Sequence, residues 1–354
     1  MEARPTVSVV RRLAGVVVTV GLWLTFTSCQ QDAGDPQKVA QSQVVAADTS
    51  GATKSPGVSA NVRSFTLRWR AGEVFHYRIE QVSEGGPDTA RTYSSSTHWY
   101  TRTVRAVRSD GSFETVVRFD SIAVTGSVKN TRAGVTLMEQ SYRSADTSEA
   151  NRKRFPQFAS IIGEDVVVYM STNGRVEQVG DVTPIVKKIS ALAGQPLSPQ
   201  MTEQLTAQVK TGVYAAFMLQ EFVPYPEQGL DSNASWVNEQ VSPLSEIFTV
   251  ATKASYALGD VYEVRGQRIG VIAATVAGAV KLRPLPPGAP MSIAVTASSI
   301  TGSSKSVIDV DRGITLAKRN AISMSMTALV RAPGGQRQEL SQSQSSITTI
   351  ELLR

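Results

Sequence analysis

The chain has 354 residues, 41% of them hydrophobic and 19% charged, the composition of a globular protein with room for one large domain or two modest ones. Its net charge of +6 is mild and its Lys and Arg are scattered, Arg152-Lys153-Arg154 being the densest run, so no nucleic-acid footprint is present and no nucleic-acid partner is expected. A single cysteine, Cys29, rules out an internal disulfide.

Residues 1–28 carry the marks of an export signal. A basic stretch ends at Arg11-Arg12, the apolar run LAGVVVTVGLWLTF follows, and the small residues Thr27 and Ser28 precede Cys29. The run is shorter than the roughly 20 residues a membrane span needs, and QQDAGDPQK after Cys29 holds no stop-transfer pattern. Phe26-Thr27-Ser28-Cys29 resembles the lipobox of bacterial lipoproteins, with Phe26 where that family prefers Leu. The resemblance implies cleavage between Ser28 and Cys29, a diacylglyceryl thioether on Cys29 and acylation of its freed amine. Two or three acyl chains, at about 0.8 kcal/mol per buried methylene, hold a protein durably on a bilayer. Gln30 rather than Asp follows the cysteine, which in that family favours the outer membrane, facing the periplasm.

Residues 29–60 hold no Phe, Trp or Tyr and are rich in Ala, Ser, Gln, Gly and Asp, a composition that cannot bury enough surface to order itself. They read as the acylated N-terminus and a tether reaching about 30 Å. A single β-rich domain is expected over residues 61–354. Phe65, Leu67 and Trp69 alternate with polar residues, Ala71-Gly72 turns, and Phe75, Tyr77 and Ile79 alternate again, which predicts a half-buried antiparallel hairpin. Phe113, Val117 and Phe119 against Glu114, Arg118 and Asp120 continue the pattern, and Asn173-Gly174 is a strong two-residue hairpin turn inside GEDVVVYMSTNGRVEQV.

The period changes over residues 182–222. Thr183-Pro184 and Ser198-Pro199 each read as an N-cap followed by Pro at the first helical position. In the second helix Met201, Leu205, Val209, Gly212 and Ala216 follow helical spacing, and its end, YAAFMLQEF, is apolar nearly all round. Strands resume at Trp236 and turn at Asp311-Arg312-Gly313, while RPLPPGAPM is proline-stiffened and expected to stay unpaired. QRQELSQSQSSITTIEL alternates only weakly and predicts an exposed edge or a strand lining something polar.

The expected fold class is therefore α+β, mostly β: a curved, half-barrel-like antiparallel sheet with a central two-helix insertion against one side. At the level of fold this resembles the outer-membrane lipoprotein carriers and the lipid-binding mycobacterial lipoproteins, whose helices cap a curved sheet around an apolar cavity. PYPEQGLDSNASW, followed by long alternating strands, resembles a family of secreted bacterial domains of unknown function. That likeness covers residues 62–352 and implies no catalytic residues.

Residue chemistry points away from catalysis. His76 lies on the polar side of its strand and His98 in the polar run SSSTHW, so both are expected to be solvated. No G-x-S-x-G elbow, P-loop or G-x-G-x-x-G occurs, and Ser127-Val128-Lys129 and Ser303-Ser304-Lys305 miss the Ser-x-x-Lys spacing. Asp309 and Asp311 open a calcium-like Asp-x-Asp-x-Gly run, but Ile314 stands where an EF-hand loop needs Gly and Asn320 where it needs Glu, which predicts a hairpin turn and no metal. The remaining candidates are apolar. Met201, Phe217, Met218, Met324 and Met326 form a candidate cavity lining, because flexible thioethers suit irregular hydrophobic ligands; ordinary core is the competing expectation. The leading expectation is a non-enzymatic, lipid-anchored envelope protein that binds a lipid or other apolar ligand and needs no cofactor beyond its acyl groups. A scaffold contacting another envelope protein is the alternative, and an envelope hydrolase comes third.

Overall fold

The computed structural model describes residues 53–54, 66–87, 89–194, 196–215, 220–225, 235–243, 247–283, 292–331 and 337–353. The signal segment, Ser28, Cys29, Phe65, Phe217, Met218 and most of the expected tether lie outside them.

Among the described residues thirteen strands form a single antiparallel sheet, in the α+β, mostly β class expected. In chain order they are β1 (Thr53–Lys54), β2 (Val74–Gly86), β3 (Ala90–Val107), β4 (Phe113–Asn130), β5 (Val135–Arg143), β6 (Asp165–Met170), β7 (Val176–Val179), β8 (Ser235–Pro243), β9 (Phe248–Val264), β10 (Gln267–Leu282), β11 (Ser292–Asp309), β12 (Ile314–Arg331) and β13 (Arg337–Leu353). The sheet order is β1-β9-β10-β11-β12-β13-β2-β3-β4-β6-β7, with β5 on β4 and β8 on β9. Strands of 17 or 18 residues make it about 60 Å long at ~3.3 Å per residue.

Two segments pair differently from expectation. The Ser/Gln-rich β13 is no edge: it lies between β12 and β2 and joins the two ends of the chain, Ile350 pairing with Ile79 and with Lys318. Ser and Gln on both faces hide its alternation, yet Ile350 is fully buried. Conversely, residues 66–70 keep their alternation, with Leu67 and Trp69 buried, but form no strand. Both edges of β2 are taken by β13 and β3, so this segment bonds instead to turns, Leu67 N–H to the Thr172 carbonyl (2.7 Å) and Arg68 N–H to that of Arg312 (3.0 Å). Within the expected tether, Thr53 and Lys54 pair with Glu263 and Tyr262 of β9.

The helices among the described residues include α1 (Glu149–Arg154), α2 (Pro156–Ala159), α3 (Thr183–Ala193) and α4 (Pro199–Gln208), which runs on as a π-helix over Val209–Ala215. Ser198 caps α4 as expected, its hydroxyl accepting from Met201 N–H at 3.2 Å. The N-cap of α3 lies one residue earlier than predicted: Val182 stands there, and the Asp181 carboxylate takes the Thr183 N–H (2.9 Å) and hydroxyl (2.6 Å).

The helices pack on the half of the sheet made by β2, β3, β4, β6 and β7. Phe75, Tyr77, Ile79, Tyr100, Val117, Phe119, Val166 and Val168 meet Ile185, Val186, Val209 and Tyr214 in one continuous core. Side chains fill the space between helices and sheet. After the π-helix, residues 221–225 form a strap that crosses toward β9, where Val223 and Tyr225 pack with Leu258, Ile272 and Ile308. Trp236 of β8 fixes its end, stacking on Tyr256 at 5.2 Å and donating its ring N–H to the Pro224 carbonyl (2.8 Å).

Candidate functional site

The densest chemistry lies where the strap meets the sheet. On β3 the core parity runs Tyr100, Arg102, Val104, which places a guanidinium among apolar side chains. Arg102 and Glu221 are both 0% exposed. They form a two-pronged pair, Arg102 Nη1 donating to Glu221 Oε1 at 2.6 Å and Nη2 to Oε2. The Tyr100 hydroxyl also donates to Oε2. The guanidinium lies 5.0 Å from the Phe222 ring centre, 5.2 Å from that of Trp69 and 5.6 Å from that of Tyr77, inside an aromatic cage.

β12 holds the strap's backbone. The Thr315 hydroxyl donates to the Glu221 carbonyl (3.0 Å), and Lys318 Nζ to that of Phe222 (2.8 Å). Burial alone would depress the Arg102 guanidinium, but the Glu221 carboxylate beside it holds it above its usual value. Burial, then the same carboxylate, raises Tyr77 and Tyr100 well above the ordinary phenol range. Burial pushes Lys318 down to about 8, against the pull of Glu221. With no exposed surface on either partner, the pair cannot reach a solute. It is a lock that fastens the strap across the sheet, and sequence reading missed it. The signal was there in an Arg on the apolar parity of β3.

His98 corrects the expectation of a solvated histidine. It is buried on the core face of β3, opposite Ile79 and Ile122, its Nε2 3.1 Å from the Ser96 hydroxyl. Burial lowers its pKa to about 4. The polar run around it concealed the strand, because Ser94, Ser96 and His98 occupy core positions normally held by apolar residues. His76 is exposed on the opposite face, as expected. Its Nδ1 lies 3.0 Å from the Thr101 hydroxyl, which donates to Asp120 Oδ2 at 2.5 Å, while Arg118 holds Oδ1 at 3.0 Å. A threonine has one hydroxyl proton. Here Asp120 takes it, so His76 donates to Thr101 and does not activate it as a nucleophile.

Asp309 and Asp311 sit in the predicted hairpin turn. Asp309 accepts the backbone N–H of Asp311 and Arg312, and Asp311 is held by Arg268, whose guanidinium keeps its carboxyl below the usual range. Among the described residues no group of three His, Cys, Asp or Glu is placed to hold a metal. A pocket of about 290 Å³ opens on the sheet's other face, lined by Glu84, Arg91 and hydroxyls that include Thr301, Ser323, Ser343 and Ser345. One of its walls is β13, the strand expected to line something polar.

The candidate methionines separate. Met201 is 51% exposed on α4. Met324 and Met326 come together on the helix-side face of β12, packed with Ile293 and Val295 against buried Phe248, Val280 and Ile300. This patch lies toward the end of the long strands, beyond the helices.

A family profile matches residues 110–315, from the turn before β4 to the start of β12, more than half of the chain. The chain belongs to DUF6263, a family of unknown function. The DUF6263 match takes in the helices and the carboxylate side of the lock, Glu221, while Arg102 precedes it. No curated protein matches this chain in sequence. Among solved structures, lipovitellin, described in terms of lipid–protein interactions, is 10% identical with a TM-score of 0.41 over 81% of this chain, which spans 26% of lipovitellin. An outer membrane channel from Pseudomonas putida F1 is 9% identical with a TM-score of 0.20, over 81% of this chain and 98% of its own. OccK7 from Pseudomonas aeruginosa is 6% identical with a TM-score of 0.22, over 81% and 100%. At such scores these likenesses bear on neither the activity nor the ligand of the DUF6263 chain. Among the described residues no helix is long and apolar enough to cross a membrane.

Proposed function

We propose that this DUF6263 protein is a non-enzymatic envelope lipoprotein, held by acyl chains on Cys29 after cleavage at Ser28-Cys29, whose sheet receives an apolar ligand. The anchor is favoured by the lone cysteine at the junction of an apolar run and a polar one. The observation that carries ligand binding is the patch of Phe248, Val280, Ile300, Met324 and Met326, which lies on the helix-side face beyond the helices. The ligand then lies away from the space between helices and sheet, which side chains fill. Thioethers beside branched aliphatics adapt to a flexible acyl or isoprenoid chain.

Both parts have direct tests. Growth on labelled fatty acid should label the protein, and Cys29→Ser should abolish the label and leave precursor in the cell; continued labelling of that variant sinks the anchor. Mass spectrometry of organic extracts of the purified Cys29→Ser protein should find a bound lipid at near-stoichiometric amount. The further change Ile300→Gln with Met324→Gln should remove that lipid, and an empty parent protein would overturn the ligand assignment.

A further inference from the structure

The antiparallel ladder brings the ends of β4, β8, β10 and β12 and the starts of β5, β9, β11 and β13 to one end of the sheet, opposite the turns after β3, β9 and β11. That end is chemically distinct. Arg132, Lys281, Arg283, Arg331 and Arg337 stand there, all exposed, with Arg331 paired directly opposite Arg337. The exposed carboxylates near them are Glu139, Glu239, which pairs with Lys253, and Glu339. The ion pairs found among the described residues engage other cations.

Aliphatic side chains accompany the charge. Val135, Leu137 and Met138 at the start of β5 are 54%, 59% and 46% exposed, and Val241 near the end of β8 is 71% exposed. Cations alone suit any polyanion. Cations interleaved with exposed aliphatics suit a surface that offers negative charge and, just beneath it, hydrocarbon.

We propose that this helix-distal rim docks on the headgroups of an anionic phospholipid bilayer, with Leu137 and its neighbours entering the interface. The inference is independent of acylation at Cys29 and of the ligand patch. It is also compatible with an anchor. The chain enters the sheet at the far end, where Thr53 pairs with Glu263. Residues 30–52 can span at most about 80 Å when extended, more than the ~60 Å length of the sheet, so an anchored copy can lay its rim on its own bilayer.

The test uses the full chain with Cys29→Ser, so that no acyl group contributes, on vesicles of phosphatidylcholine alone or with about 30% phosphatidylglycerol. The segment before residue 29 carries Arg4, Arg11 and Arg12 and itself favours anionic vesicles, but it is common to every variant and cancels when the variants are compared with one another. The rim predicts at least tenfold tighter sedimentation with the anionic vesicles, lost on adding salt. Each cation near such a surface contributes about fivefold, so Lys281→Gln, Arg283→Gln, Arg331→Gln and Arg337→Gln together should weaken that binding by about a hundredfold or more. In the same background, a nitroxide on Leu137→Cys should become shielded from an aqueous quencher on binding, and one on Met201→Cys should not. Equal affinity for both vesicles, or no effect of the four substitutions, overturns the proposal. So does a Leu137 label that stays in water while heparin competes, an outcome that would assign the rim to a soluble polyanion.

Discussion

Arg102 and Glu221 illustrate how a buried charge pair acts. Each needs the other, because an ion left alone in the core costs more than the pair gains. Glu221→Gln should therefore destabilise the fold by about 3–5 kcal/mol in urea unfolding. Replacing both, as Arg102→Met with Glu221→Leu, should cost less than that single change, since no unpaired charge remains. If the double variant is the weaker of the two, the pair is more than a lock. His98 makes a second case. Its pKa is about 4 when folded and near 6.5 when unfolded, so the unfolded chain binds the proton first as pH falls. The stability it contributes is whole above pH ~6.5 and declines toward pH ~4, by on the order of 3 kcal/mol. His98→Asn should flatten that part of the pH profile. An unchanged slope would mean that carboxylates alone produce it.

Elements in this protein form wherever sequence period and free edges agree. The Asn173-Gly174 and Asp311-Arg312-Gly313 turns were legible because each needs a residue with positive φ, supplied by Gly174 at +79° and Gly313 at +68°. Gly313 has a second duty. A Cβ there would stand 2.7 Å from the Thr66 carbonyl, where residues 66–70 cross the turn. Gly313→Ala should thus cost about 2 kcal/mol or more, beyond the ~1 kcal/mol of backbone strain alone, and should loosen Leu67 and Trp69, as read by hydrogen exchange at the Leu67 N–H. β3 and β13 were the hard elements. Both place Ser, Thr or Gln at core positions, so hydrophobic alternation, the signal that revealed β2 and β4, is diluted there.

At the scale of the molecule, the two halves meet twice: through β13 between β12 and β2, and through the strap over the face. Removing residues 337–354 would expose two long strand edges together with Tyr77 and Ile79. That truncation should abolish cooperative unfolding rather than trim a border, and a truncated chain with a normal melting transition would refute the central place of β13. The two functional proposals also belong here, since the ligand patch and the basic rim are assembled from residues far apart in the chain.

Local order and chemistry fixed much of this protein's character in the sequence itself. The β-rich class, the helical interruption at residues 182–222, the hairpin turns and the lone thiol after an apolar run all follow from periods, caps and compositions read within a few residues. Tertiary structure alone decided which strand is central, which histidine is dry, where Arg102 finds its carboxylate and which methionines meet. Those outcomes depend on contacts between residues from about 20 to more than 250 positions apart, and a local pattern carries no record of its distant partner.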